Sequence, residues 1–529
     1  MGFDLSTQSL TCTVVDARLK VVSEESLSFD GSLPWYQTKG GANKGPDGSM
    51  TSPTLMWVEA LDLLLSKMKD NNFPFHLVTA LSASGQQHGS VYWKNGARDI
   101  LDHLDSKKTL KEQLNTSFSI TQSPIWMDST TTQYCQEIER LMGGAQEVAS
   151  LTGSKCFERF TVNQIAKVYR NNTKAYNETE RISLVSSFFI SLFLSGKYAN
   201  IDGGDGSGMN IMNLKSKKWV PKIIEYAGTH LEKKLGEVVY SYQTQGFVSK
   251  YFQERFNFSS SCLVVTATGD NPSTLAGLKL HEGDIAVSLG TSSTLFGPLM
   301  NPVPSADEGN IMVNPVVPNG YMAMICYKNG ALAREQIRDR YASSSWELFS
   351  EYLKSSKPGN EGRIGFYFSE PEIIPYAKGC YYFNSDDTLV PAWEDPKVHV
   401  RAIVESQILS MYLHSSNIGL KATQGILVTG GSSKNPEILQ ILCDIFGVKV
   451  YTGDQPNSAS LGAALRAYHS KQCEVLGRFE DYHSLVGSTS FKLSATPNTN
   501  NHLIYQQMLK RYKTLEEKVI QYAKTTAKY

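Results

Sequence analysis

The sequence lacks an excess of either charge: Lys+Arg and Asp+Glu number 51 each. Neither a polybasic footprint for nucleic acid or an anionic membrane surface nor an acidic tail is present. It also lacks paired cysteines. The eight it has, at 12, 135, 156, 262, 326, 380, 443 and 473, form no C-x-x-C and no His-linked zinc spacing, and read as buried thiols of a reducing compartment. There is no apolar run of membrane-spanning length, no charged-then-apolar leader and no repeat of solenoid period. These absences exclude a membrane channel, a disulfide-stapled domain and a zinc module. What is left is a large cytoplasmic α/β protein with neither nucleic acid nor membrane as partner; its composition gives no oligomeric state, and a monomer or a homodimer is expected. At 529 residues it is too long for one core, so at least two domains are expected.

The most informative stretch is 262–296. Leu263 to Thr268 is a β-branched, apolar run stopped by Gly269, which presents Asp270 at the carboxyl end of a buried strand. Ligands of α/β sheets bind there, and Pro272 can sit in the first turn of a helix whose free N–H groups aim at the same point. A plain helix cap is the competing reading of Asp270. A dozen residues on, Ile285 to Leu289 is broken by Gly290, Thr291, Ser292, Ser293 and Thr294 before Leu295 resumes. That is a tight hairpin with hydroxyl and N–H groups at its tip, able to cradle an anion.

A second hairpin of the same chemistry opens the chain: Gly2-Phe3-Asp4-Leu5-Ser6-Thr7-Gln8, then Leu10–Val15 and Val21–Phe29. The first six residues satisfy a loose N-myristoylation pattern, but Asp4 has a better use in the hairpin. Only three residues precede Asp4, so its strand is expected to be stunted and its support loose. Ser52-Pro53 reads as cap and first turn of a helix, and Leu77–Ser82 as a strand before the polar loop Ser84-Gly85-Gln86-Gln87-His88-Gly89, whose amides and imidazole suit sugar hydroxyls. His88 could equally be structural, and Arg159, in Glu158-Arg159-Phe160-Thr161, one half of a surface ion pair. In Pro124–Thr131, Ser129 is the expected cap of a helix ending at Gly143-Gly144. Residues 201–210 read as a glycine-rich loop, 334–352 as one helix containing Trp346, and 355–395 as irregular surface. Strand Ile426–Thr429, Gly430-Gly431-Ser432-Ser433-Lys434-Asn435 and a helix led by Pro436 follow, with glycines that let a flat ring or phosphate approach the backbone.

In this order, Gly2–Gln8, Gln86–Gly89, Pro124–Thr131, Glu158–Thr161, Gly269–Pro272, Gly290–Ser292 and Gly430–Asn435 resemble the FGGY family of carbohydrate kinases. Gln-Gln-His-Gly, Trp-Met-Asp-Ser and Glu-Arg-Phe-Thr narrow the resemblance to plant and animal members acting on xylulose. The resemblance implies two actin-like (ribonuclease H-like) ATPase domains flanking a cleft. They would be an N-terminal, sugar-binding domain over 1–279 and a C-terminal, ATP-binding domain over 280–475, with a partly helical tail over 476–529. It further implies transfer of the γ-phosphoryl group of ATP, with Mg²⁺, to O5 of D-xylulose, feeding the pentose phosphate pathway. Asp270 would be the general base; His88, Arg159 and Asn271, with Gln87 and Asp128, would surround the sugar. Asp4 would place the metal, Thr7, Gly290 and Thr291 would face phosphates, and Trp346, Gly430, Gly431, Ser432 and Asn435 would hold the nucleotide. Ser293 stands where this subgroup is expected to carry Asp, and Ser432 where it is expected to carry Ala. A kinase of another ketose such as ribulose, and a catalytically weak nucleotide-binding homologue, remain as alternatives.

Overall fold

The strand Gly2–Leu5 is the hub of the first of two large sheets in the computed structural model, which describes residues 1–453 and 455–526. It pairs antiparallel with Ser9–Val15, Asp4 opposite Thr11, and parallel with Ala80–Gly85, Asp4 opposite Ser84. The strand is short, as expected, but hydrogen-bonded along both edges, so Asp4 rides on a fixed backbone. Alternation sends Phe3 to one face, where its ring lies 5.3 Å from Phe189 and 5.6 Å from Phe193. Gly2 and Asp4 point to the other. At Gly2 a Cβ would sit 2.1 Å from Ala464 N, so the missing side chain is what lets the helix Ser458–Leu476 lie directly on the sheet.

The chain forms two compact units. The first comprises Met1–Lys279, Met312–Gly320 and Gln455–Ser488; the second comprises Leu280–Ile311 and the described parts of 321–454 and 489–529. In the first unit the strand order is Thr244–Phe247, Leu263–Val265, Ala80–Gly85, Gly2–Leu5, Ser9–Val15, Val21–Ser28, with Thr268–Gly269 also pairing on Ala80–Gly85. In the second, Lys492–Ala495, Val450–Thr452, Gly425–Thr429, Asp284–Leu289, Ser293–Leu299 and Tyr321–Tyr327 follow one another. Each series is an antiparallel edge, then three mutually parallel strands, the last of which opens an antiparallel meander. Two mixed α/β sheets of matching order are what an actin-like ATPase fold requires. No helix among the described residues is long and apolar enough to cross a membrane.

Several local expectations are corrected. Ser52 caps nothing: its hydroxyl donates to Gly41 O at 2.7 Å, Met50–Pro53 is a strand, and the helix begins at Thr54. The strand expected over 77–82 runs over Ala80–Gly85, because Ser84 and Gly85 pair with Asp4 and Leu5. The helix assigned to a Ser129 cap starts at Thr132 instead. Residues 201–210 are not a plain loop: the Asp202 carboxylate accepts from Gly204 N and Asp205 N and starts a short helix, Gly203–Ser207. The single helix over 334–352 is two, Ala331–Tyr341 and Trp346–Ser355, divided at Ser343 and Ser344, whose φ values of 48° and 57° cannot continue a helix. Within 355–395, Ile364–Phe368, Gly379–Phe383 and Leu389–Val390 form a small antiparallel sheet, and Phe366 packs on Phe383 and Tyr512.

Candidate active site

Asp270 opens the helix Asp270–Leu278 directly after Thr268–Gly269, which pairs with Ser84–Gly85. Gly269 is needed there, because a Cβ would lie 2.5 Å from Gln87 Cγ. Asp270 Oδ1 accepts from Asn271 N at 2.8 Å and Asn271 Nδ2 at 3.0 Å. Burial, reinforced by the charge of Asp4, raises Asp270 to about 7. Asp4 is itself raised to about 6 by burial, against the opposing effect of a 2.7 Å hydrogen bond from the Ser84 hydroxyl. Both residues keep some surface open to solvent.

The expected sugar-binding residues gather around this acid with one exception. Asn271 Nδ2 donates to Gln87 Oε1 at 2.9 Å, and Gln87 Nε2 lies 3.3 Å from Met312 Sδ. His88, with φ of 72°, turns the chain so that its Nδ1 meets Gly208 O at 2.7 Å. Burial first, and the Arg159 charge second, lower His88 to about 3, so the ring is neutral, Nδ1–H donates, and Nε2 is left as an acceptor. The Arg159 guanidinium lies 4.6 Å from the Phe157 ring centre and 5.3 Å from that of Phe160, while Thr161 Oγ1 donates to His88 O at 2.9 Å, tying the two loops together. Asp128 is the exception. It is buried, and its oxygens accept from Met50 N, Thr130 N, Thr130 Oγ1 and Gln164 Nε2. Burial alone would raise it, but these donors hold it below the ordinary carboxylate range. Its geometry is that of a brace between segments.

Sequence reading missed four members of this neighbourhood. Trp126 is exposed, and its Nε1 donates to Thr7 Oγ1 at 2.9 Å. Asp202 and Asp205 are buried behind Asp270: Ser241 donates to Asp202 at 2.6 Å and Ser186 to Asp205 at 2.5 Å. Burial and the Asp202 charge push Asp205 well above the usual carboxylate range. Buried Arg466 donates to Thr266 O, Ala83 O and Ser82 Oγ and adds a positive charge beneath the pair.

The second unit holds the other expected set. A cavity of about 630 Å³ is lined by Gly290, Thr291, Trp346, Gly431, Ser432 and Asn435. Gly430, at φ 87°, lies against the hairpin strand: a Cβ would approach Leu289 C to 2.8 Å, whereas one on Gly431 would meet nothing within 4 Å and leaves that face open. Asn435 Oδ1 caps the helix Pro436–Phe446 through Glu437 N and Ile438 N, and its Nδ2 donates to Ser350 Oγ at 2.8 Å. Trp346 forms a wall, with the Arg338 guanidinium 4.7 Å from its ring centre. Beneath the cavity, buried Arg334 donates to Ser432 Oγ at 3.0 Å and Gln407 Oε1 at 2.5 Å, a contact sequence reading also missed. Ser432 therefore has a job that Ala could not do. An apolar wall, open glycine backbone and a helix N-terminus suit a planar base with phosphates.

Residues 1–277 match the N-terminal domain, and 285–470 the C-terminal domain, of the FGGY family of carbohydrate kinases. The chain belongs to that family. Rat xylulose kinase is 46% identical to this FGGY chain over 527 residues, covering 99% of it and 97% of the rat protein. Arabidopsis thaliana xylulose kinase 2 is 45% identical, covering 98% and 97%. The crystal structure of ligand-bound xylulose kinase from Lactobacillus acidophilus superposes with a TM-score of 0.77 at 16% identity, covering 99% of both chains, which shows that the fold is shared. FGGY kinases use ATP with a divalent metal, and the fold is the actin-like ATPase fold.

Proposed function

We propose that the chain phosphorylates D-xylulose at O5, with MgATP as donor, to give D-xylulose 5-phosphate. The name xylulose kinase is carried by relatives 45–47% identical over nearly the whole chain, in rat, mouse and Arabidopsis. The observation that carries the reaction type is Asp270, a carboxylate at the carboxyl edge of a buried parallel strand, raised to about 7 and set beside a second carboxylate, Asp4. A base that titrates near neutrality is matched to accepting a hydroxyl proton.

In this reading Asp270 accepts the O5 proton as that oxygen bonds to the γ-phosphorus and the bond to the β-phosphate oxygen breaks, releasing ADP. Positioning supplies much of the rest, since phosphoryl transfer through a loose transition state asks mainly for alignment and charge neutralisation. Asn271, locked to Gln87, orients the sugar; His88 Nε2 accepts from a sugar hydroxyl and Arg159 donates to an oxygen; Asp128 braces the loops behind them. Gly290, Thr291 and Thr7 bind phosphate oxygens, Trp346 flanks the adenine, and Gly430, Gly431, Ser432 and Asn435 hold the nucleotide.

The donor set fits Mg²⁺. Among the described residues there is no cage of three or more His, Cys, Asp or Glu, and Mg²⁺ in kinases characteristically rests on one or two carboxylates plus water and substrate phosphates. Asp4, hydrogen-bonded to Ser84, is the carboxylate that would hold it, with Asp270 beside it. Bound there, the ion would neutralise charge on the phosphates.

The test is ATP-dependent turnover of D-xylulose beside D-ribulose and D-xylose, with Asp270→Asn as control. Xylulose should be preferred, and kcat should fall about 10²- to 10⁴-fold in the variant with sugar binding retained. Preference for ribulose would reassign the substrate. A variant that turns over normally would remove Asp270 from the role of base.

A further inference from the structure

The first unit contains a second cavity, about 520 Å³, that shares no residue with the proposed active site. Arg98, Arg181 and Lys197 line it, and Asn200, Gln243 and Thr244 bring neutral polar groups to the same space. Three cations share the cavity, and no carboxylate is among its lining residues. Among the described residues none of the three forms an ion pair with a carboxylate. Glu180, the acid beside them, already accepts from Gly96 N and Arg98 N at 3.0 Å each and from the Tyr198 hydroxyl at 2.5 Å.

Arg181 is the telling member. It is 8% exposed, in the strand Thr179–Leu184, and its Nη2 donates to Ala199 O at 3.0 Å. Its Nε is buried and has no hydrogen-bond partner. Gly236, at φ 71°, lies so close that a Cβ there would collide with the guanidinium at 1.8 Å, so the surrounding backbone is shaped to hold this side chain. A buried guanidinium with an unsatisfied donor is costly to leave unmatched. Forked N–H donors of this kind fit a tetrahedral oxyanion, and the exposed heads of Arg98 and Lys197 add the charge a dianion needs.

We propose that this cavity binds the phosphate group of a small phosphorylated compound, with a sugar monophosphate as the occupant its size and amide-bearing wall suit. At about 520 Å³ it lies in the range of small-ligand sites and exceeds what a bare phosphate fills.

The experiment is calorimetric titration of the intact protein with glucose 6-phosphate and, separately, inorganic phosphate, repeated on Arg98→Ala, Lys197→Ala and His88→Ala. The first two remove exposed side chains and leave the core alone. Saturable one-to-one binding is expected. Arg98→Ala and Lys197→Ala should each weaken it roughly tenfold or more, as loss of a charged hydrogen bond does, while xylulose turnover stays unchanged. His88→Ala should leave phosphate binding unaltered. Tighter binding of glucose 6-phosphate than of phosphate assigns the neutral wall to a sugar; equal binding assigns the site to the free anion. Absence of saturable binding, indifference to both cation variants, or loss in His88→Ala would overturn the proposal.

Discussion

A carboxyl group raised to about 7 is only partly ionised in neutral buffer, and this sets the pH dependence of any base-catalysed step at Asp270. The active form is the carboxylate, so kcat/KM for xylulose should rise with pH along an acid limb centred near 7 and level off above it. Since Asp4 contributes to the shift, Asp4→Asn should move that limb to lower pH; a profile flat from pH 5.5 to 8.5 in the parent protein would count against Asp270 as the titrating base. If His88 accepts from a sugar hydroxyl as proposed, His88→Ala should raise KM for the sugar about tenfold and leave kcat within a few-fold. An unchanged KM would make the imidazole structural. The site was legible where chemistry and local backbone coincide: Gly269-Asp270-Asn271-Pro272 ends a buried strand, and Gly430–Asn435 joins a strand to a helix. It was not legible where partners come from far along the chain. Asp128 is occupied by Met50 and Gln164, 78 and 36 residues distant, and no pattern around 128 announces them. Arg334 and Arg466 look like surface arginines on helices until Ser432, Thr266 and Ala83 are placed against them. Asp202 and Asp205 carried a usable signal, an acid capping the helix turn that follows, hidden by the glycines around it.

At the scale of elements, the helix Thr499–Thr526 is tied to Pro396–Asn417 by a buried charge cluster in the second unit. His414 Nδ1 meets Glu308 Oε2 at 2.6 Å, and its Nε2 meets Glu516 Oε1 at 3.2 Å. Only the imidazolium can donate at both nitrogens. Burial opposes that charge, but the two carboxylates, Glu516 first, raise His414 to about 10. A histidine whose folded pKa is raised gives its full stabilisation below the unfolded value, about 6.5, and loses it as pH climbs through about 10. The melting temperature should therefore fall between pH 8 and 11 more steeply in the parent protein than in His414→Gln, which starts lower. Parallel curves would show that the cluster adds nothing to the pH dependence. The long helices and central strands were readable from periodicity, and both hairpins from glycine and hydroxyl spacing. The sheet within 355–395 was not, because its alternation, in Tyr-Tyr-Phe at 381–383 for example, is set by burial against Tyr512 and the helix Pro396–Asn417 rather than by a repeating pattern. The break at Ser343-Ser344 was missed because two non-glycine residues at positive φ give no compositional warning.

At the scale of the molecule, two sheets of the same order each present a hairpin and a strand-ending turn, and one carries the acids while the other carries the nucleotide-type cavity. The first unit is not one continuous piece of chain. Its sheet is complete by residue 269, yet the helix Ser458–Leu476 lies on that sheet and crosses the helix bearing Asp270 at two glycines. A Cβ on Gly277 would strike Ser458 O at 2.0 Å, and one on Gly462 would strike Ser273 O at 1.8 Å. Arg466, from the same helix, reaches Ser82, Ala83 and Thr266. The support for Asp270 thus arrives about 200 residues after Asp270 itself. On a ribosome adding about 5–20 residues per second, that gap lasts roughly 10–40 s. During that interval the nascent first unit has a sheet lacking one of its covers, with Ala80, Leu263 and Val265 awaiting Ala467, and the helix that bears Asp270 lacks the partner it crosses at Gly277. Until that late helix is made, this apolar face of the nascent first unit lies uncovered, the kind of surface on which partly made chains aggregate.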